Sequence, residues 1–142
     1  MFKELIINSR SKRRFYGEKK VTKTQLRELV DFARLSPNAA NKQSLKYIIV
    51  NSPDVNEKIF DTLTWAGYLK DWNGPEEKER PTGYIIMLRD KAMRMNIDEG
   101  IAAQSIFLGA TAMGLGGCFI ASIKKKKLKN ILILRGLRNT TG

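Results

Sequence analysis

The sequence predicts a mixed helix-and-strand domain, α/β or α+β, with a sheet covered on both faces. Three observations carry this. Segments whose apolar residues recur at helical spacing alternate with short continuous apolar runs of strand length, the pattern of helices laid against a sheet. The 142 residues suit one domain, and 42% hydrophobic content gives it a core to bury. No internal repeat and no linker-like stretch divides the chain.

Phe2, Leu5 and Ile6 share one helical face, so a short helix opens the chain. Thr22 and Gln25 form a capping-box pattern, and Leu26, Leu29, Val30 and Ala33 follow at i, i+3, i+4 and i+7. That helix stops ahead of Pro37, whose ring disfavours helical geometry in the residue before it. Residues 46–50 read as a buried strand. Ser52, Pro53 and Asp54 place a cap, an N1 proline and an early acid in succession. The helix they start carries Val55, Ile59 and Phe60 inward and fades after Leu63. Residues 65–80 are irregular, rich in Trp, Tyr, Gly and charge, and Pro81 closes them. Residues 83–88 form a second buried strand. The longest helix spans residues 98–113, lined by Ile101, Ala102, Ser105, Leu108, Gly109 and Ala112, and its small residues let another helix come close. Residues 117–120 make a third strand.

Composition excludes several functions. No apolar run approaches the roughly 18 residues of a membrane span, and the first residues do not read as a signal peptide. A cytoplasmic protein with no membrane partner is expected. One cysteine, Cys118, excludes an intramolecular disulfide; within a strand it reads as a small buried residue. The absence of histidine removes Ser-His-Asp and Cys-His catalysis and His-ligated metals. If the chain is an enzyme, its chemistry sits on a cofactor, and no metal site is expected. The net charge of +12 invites a nucleic-acid reading. Seven of the basic residues, including Arg135 and Arg138, lie in residues 124–142, which hold no acid. The remainder has 19 basic against 14 acidic residues, a balance of +5 that suits an anionic cofactor. The basic segments also lack the interleaved aromatics of a base-stacking surface. No nucleic-acid partner is expected.

Two segments carry most of the chemistry. From Asn8 to Phe15, arginines and a serine crowd onto one turn directly after the first helix. Arginine forks take phosphate oxygens bidentately and a serine hydroxyl fills a remaining acceptor, so the cluster suits a phosphate monoester. A solvated basic loop is the plainer alternative. Arg14, next to Arg13, should point elsewhere. From Ser36 to Gln43 runs a loop of small residues, a proline and three amide side chains. Such a loop can lie flat against a planar heteroaromatic ring and read its polar edge; ordinary turn chemistry is the alternative. Lys42 alternates away from both neighbouring amides. A phosphate-binding segment and a ring-binding segment together point to a mononucleotide cofactor. The glycines at 109, 114, 116 and 117 do not spell G-x-G-x-x-G, and they follow a helix where that fingerprint follows a strand, so a dinucleotide loop is excluded.

These segments resemble the nitroreductase family of FMN-dependent oxidoreductases. Its R-S-x-R-x-F motif is matched by Arg10, Ser11, Arg13 and Phe15. Its P-S-x-x-N-x-Q loop is matched by Pro37, Asn41 and Gln43, with Asn38 where the family often has Ser. Residues 98–104 and 114–120 resemble the family's long central helix and the glycine-rich strand entry behind the flavin. The match spans about residues 2 to 123, and the order and spacing of the three motifs make it specific.

The resemblance implies an α+β fold, a mixed β-sheet flanked by helices in a three-layer sandwich, as one FMN-binding domain over residues 1–142. It implies a homodimer with FMN at the subunit interface. Arg10 and Arg13 would neutralise the phosphate and Ser11 would hydrogen-bond it. Asn41 and Gln43, with Pro37 and the weaker candidate Asn38, would address the ring, and the backbone at Ile120, Ala121 and Ser122 would face it. Electrons would pass from NADH or NADPH through FMN to a nitroaromatic, quinone or similar acceptor by a ping-pong route, with no side chain acting as acid or base. The runner-up is an FMN-binding protein with little or no turnover; a flavin-dismantling or dehalogenating member is a third possibility. Trp65, Tyr68 and Trp72 form either a satellite hydrophobic cluster or a lid over the flavin. After residue 132 the chain departs from the family pattern, so an incomplete C-terminal segment and weaker FMN retention are expected.

Overall fold

A computed structural model of the chain describes residues 1–92, 97–134 and 136. Five helices and two strands follow in order: α1 (Phe2–Asn8), α2 (Lys23–Leu35), β1 (Lys46–Val50), α3 (Pro53–Phe60), β2 (Tyr84–Leu88), α4 (Ile97–Ala112) and α5 (Lys125–Leu134). Short 3-10 turns stand at Ala39–Asn41 and Glu77–Glu79. The local signals explain most boundaries. The Thr22 hydroxyl accepts the Gln25 N–H at 3.1 Å, and the Gln25 side chain accepts the Thr22 N–H at 2.9 Å, closing both halves of the capping box. α2 ends at Leu35 because Ser36, before Pro37, has turned to extended geometry.

β1 and β2 pair antiparallel, with Ile48 opposite Ile86 and Ile49 opposite Ile85. Alternation along the strands sends successive side chains to opposite faces. One face, with Ile48, Val50, Tyr84, Ile86 and Leu88, packs on Val55 and Ile59 of α3 and on Leu128 and Leu132 of α5. The other face, with Ile49 and Ile85, packs on Leu26 and Leu29 of α2 and on Ile106 and Ala110 of α4. Helices therefore cover both sides of the sheet, an α+β sandwich in three layers. Each fully buried aliphatic side chain contributes about 1.5–3 kcal/mol, so the two clusters supply most of the force holding the layers together. α4 lies against α2 at Gly109, where a Cβ would come within 2.2 Å of the Phe32 ring. Among the described residues, no helix is long and apolar enough to cross a membrane.

Several expectations are corrected. Residues 117–120 are not a strand, and the sheet among the described residues has two antiparallel strands. Among the described residues this stretch and the residues just after it make only single bridges, Ser11 with Gly117 (parallel) and Leu63 with Ile123 (antiparallel). Their backbone bonds go to two different loops, so no ladder can propagate. β2 is half-buried, not buried. Ser52 does not cap α3 with its side chain, because its hydroxyl is engaged by the Asp54 carboxylate. Cys118 is half-buried outside any strand. α5 was missed as an element, although Leu128, Ile131 and Leu132 carry its helical spacing. Arg135 and Arg138 of the basic tail lie outside the described residues.

Candidate functional site

Helix α4 organises the candidate site by holding one motif near each end. At its C-terminal end, Ser9 Oγ lies 2.9 Å from Thr111 Oγ1. The chain then passes into the arginine motif, where the Lys12 N–H donates to the Gly117 carbonyl at 2.8 Å. Gly116 permits this crossing, since a Cβ there would sit 2.8 Å from Lys12 Cγ. Further on, the Phe15 and Gly17 N–H groups donate to the Glu79 and Lys78 carbonyls at 2.8 and 2.9 Å. The motif is thus an extended segment clamped between two backbone neighbours, with its side chains free to face a groove.

That groove has a cavity volume of about 530 Å³, with Ser11, Lys12, Arg13 and Arg14 on one side and Tyr68, Leu69 and Trp72 on the other. The Arg13 guanidinium lies 5.6 Å over the Tyr68 ring and that of Arg14 lies 6.0 Å over Trp72. Both are within reach of a cation–π attraction. Arg14 is exposed, yet it lines the same groove as Arg13 instead of pointing elsewhere, because Trp72 draws its guanidinium to that wall. Among the described residues neither Arg10 nor Arg13 enters an ion pair. Burial pushes the Cys118 thiol above its ordinary value, while the positive charge of Arg13 works in the opposite direction. An electropositive groove with a hydroxyl and unpaired guanidinium groups has the donor set of a phosphate monoester site. The same region answers the question about the aromatics. Trp65 is buried, tilted against Phe60 and edge-to-face with Trp72, whereas Tyr68 is 70% exposed at the groove. The segment is a hydrophobic cluster at one end and a groove wall at the other.

Residues 117–122 share this end of the molecule. Ser11 is bridged to Gly117, and the Ser122 carbonyl accepts the Thr64 N–H at 3.0 Å. Ile120 is half-buried, and Ala121 and Ser122 are exposed. Arg10, Ser11 and Arg13 are therefore brought alongside the segment leading to Ile120, Ala121 and Ser122.

Pro37, Asn38, Asn41 and Gln43 are not brought to that end. Their loop is tied to the N-terminal end of α4, where both carboxylate oxygens of Asp98 accept the Ala39 N–H, at 3.0 and 3.2 Å. Asp98 and Thr111 are thirteen residues apart on the helix, about 20 Å of rise. Inside the loop, Asn38 Oδ1 accepts the Gln43 N–H at 2.9 Å, and the Gln43 side-chain amide donates to Asn41 Oδ1 at 3.3 Å. Turn chemistry accounts for Asn38, while Pro37, Asn41, Lys42 and Gln43 are exposed. Ala40, Asn41 and Gln43 hold φ angles of 51°, 51° and 49°, in the left-handed region that non-glycine residues rarely adopt. The link between Asp98 and this loop was not foreseen from the sequence. In the sequence Asp98 stands only at the start of the long helix, in the segment 98–104 that resembles the family's central helix.

The model of the Nitroreductase family matches residues 6–139. No curated protein matches the chain. Among solved structures, a nitroreductase family protein from Clostridium novyi NT is 24% identical, with 94% of this chain and 76% of that chain covered and a TM-score of 0.73. A nitroreductase with bound FMN from Bacteroides fragilis NCTC 9343 is 17% identical, covering 95% and 79%, with a TM-score of 0.69. An FMN-dependent nitroreductase from Clostridium difficile R20291 is 21% identical, covering 94% and 80%, with a TM-score of 0.65. The sandwich, the clamped arginine motif and a match across nearly the whole chain lead to one conclusion: this protein belongs to the nitroreductase family.

Proposed function

We propose that the protein is an FMN-dependent oxidoreductase that takes electrons from NADH or NADPH and delivers them to a nitroaromatic, quinone or similar acceptor. The observation that carries this reading is the electropositive groove in which Ser11 and Arg13 stand with no carboxylate partner among the described residues. Its donors fit a terminal phosphate. Arg10 and Arg13 would neutralise that phosphate and Ser11 would donate to it. Asn41 and Gln43, flanked by Pro37 and Asn38, would meet the polar edge of the ring, and the backbone of Ile120, Ala121 and Ser122 would back it. FMN, when bound, supplies hydride acceptance and electron delivery, so the chain's task is to bind, orient and shield it. That division of labour suits a protein without histidine.

The same reading makes the protein a homodimer in which each cofactor site draws on both protomers. Within one chain the phosphate motif and the ring loop are separated along α4. A two-fold pairing of chains would bring the arginine motif of one protomer to the loop of the other. α4 is apolar around most of its circumference, and such a helix calls for cover on all sides. Phe2, Ile6 and Ile7 of α1 and Phe119 are also exposed. Gly109 is not part of that open face, since Phe32 of the same chain occupies its approach. A single domain over residues 1–142 and a cytoplasmic location complete the proposal.

Absorbance of the purified protein after incubation with FMN and gel filtration tests the reading. Retained flavin bands together with oxidation of NADH or NADPH by an added quinone are expected. Flavin bands without NAD(P)H oxidation would leave the binding protein without turnover. No flavin uptake would overturn the proposal.

A further inference from the structure

We propose that Asp98 is the positioning residue of the loop from Pro37 to Gln43, holding Asn41 and Gln43 in the shape that meets the flavin ring. The inference rests on the FMN reading above and adds to it a residue that touches no cofactor. Asp98 is 5% exposed, an environment aspartate almost never occupies unless it is paired. Both of its oxygens lie within hydrogen-bond distance of one backbone group, the Ala39 N–H. That group belongs to the 3-10 turn that leads into the loop's amide side chains.

The loop needs such a hold. Ala40, Asn41 and Gln43 place three non-glycine residues in the left-handed region within four positions. Asparagine tolerates this region; alanine and glutamine do so at a cost, because the Cβ crowds the following carbonyl. Strain of this kind persists only where surrounding structure over-determines it. The loop's own side-chain bonds, Gln43 N–H to Asn38 and Gln43 side chain to Asn41, are exposed and compete with water. The Asp98 bond is the partly buried one, and it fastens the turn to the longest helix of the fold. The carboxylate thereby converts the rigidity of α4 into a fixed loop shape.

This role has a signature that separates it from phosphate binding. Riboflavin lacks the phosphate but carries the same ring, so a residue that shapes the ring loop affects both ligands alike. The test titrates FMN and riboflavin into wild type, Asp98→Ala, Asp98→Asn and the double variant Asp98→Ala with Ala40→Gly. It also follows backbone hydrogen exchange in the flavin-free proteins. Asp98→Ala should weaken FMN and riboflavin equally, by about tenfold to a hundredfold, as for loss of a charge-assisted hydrogen bond. The Ala39 and Gln43 amides should exchange faster, and the visible band of bound FMN should shift. Asp98→Asn, which keeps one acceptor oxygen, should fall between. Ala40→Gly should recover part of the loss, because glycine adopts positive φ freely; damage to α4 itself would not be recovered by a change in the loop. If Asp98→Ala does not fold, Asp98→Asn carries the same measurements.

Unchanged affinity and exchange in these variants would overturn the role and leave the FMN reading standing. So would a loss confined to FMN, or a loss that Ala40→Gly leaves untouched. Failure of the wild-type protein to bind either flavin would overturn the reading itself, and this role with it.

Discussion

Arg13 is the residue on which the candidate site depends most directly. It is half-buried in the groove wall, over Tyr68, with its charge unmatched by any carboxylate among the described residues. Removing it deletes a charge-assisted contact worth about 1.5–3 kcal/mol, so Arg13→Ala should weaken FMN roughly ten- to a hundredfold. Riboflavin should bind both proteins equally, and superimposable FMN titrations would exclude Arg13 as a phosphate ligand. Tyr84 provides a separate test of the core. Its hydroxyl is buried against α3 with no hydrogen-bond partner among the described residues. Burial pushes its ionisation well above the ordinary tyrosine value, with Arg80 opposing more weakly. The folded state therefore keeps the proton while the unfolded chain releases it near pH 10. Stability from this group is fully present below pH 10 and is lost as pH rises beyond it. Tyr84→Phe should flatten that alkaline limb of a Tm-against-pH curve. At neutral pH it should cost little or raise Tm, because an unpaired buried hydroxyl is itself unfavourable. An unchanged alkaline limb would assign the loss elsewhere.

At the scale of elements, the contact between α2 and α4 decides where the two motifs sit. Gly109 lets the Phe32 ring lie directly on the α4 backbone, and Ser36 Oγ reaches Ser105 Oγ at 2.5 Å one turn further along. Gly109→Ala sets two effects against each other. Helix propensity gains about 0.8–1.0 kcal/mol from the change. The new methyl, placed 2.2 Å from Phe32 Cδ2, forces the ring aside, and overpacking of that kind costs about 1–3 kcal/mol. The net expectation is lower stability, read as a reduced urea midpoint. A stabilised Gly109→Ala protein would show that α2 can slide without loss. The arginine motif depends on a similar close approach, Lys12 over Gly116, so both glycines serve contact more than chain freedom.

For the whole molecule, the separation of the two motifs along α4 makes a prediction that needs no structure of a dimer. Arg13→Ala disables the arginine motif and Asn41→Ala disables the ring loop. If sites are shared across a two-fold axis, a mixed dimer of the two variants carries one doubly damaged site and one intact site. Random subunit exchange then leaves about a quarter of all sites intact. Flavin binding at wild-type affinity should appear in the mixture at that level and in neither variant alone. No recovery after verified exchange, or a monomeric mass by light scattering with flavin bound, would refute the shared site.

Much of this was legible in the sequence, because local chemistry set it. The capping box of α2, the stop before Pro37, the continuous apolar run of β1 and the arginine cluster at residues 10–14 each depend on neighbours a few positions away. The motifs that match the nitroreductase family were readable for the same reason. What the tertiary structure decided involved partners far apart in sequence. Residues 117–120 have the composition of a strand, yet Gly117 bonds to Lys12 while the residues just beyond, Ser122 and Lys124, bond to the loop after α3, so no ladder forms. Gly109 read as room for another helix, and only the fold shows that this helix is α2 of the same chain, with Phe32 in the space. Asp98 stands in the sequence as the first residue of the long helix, and only folding brings it onto an amide fifty-nine positions earlier. Periodicity and spacing report which face a residue presents; which surface meets that face is settled by packing.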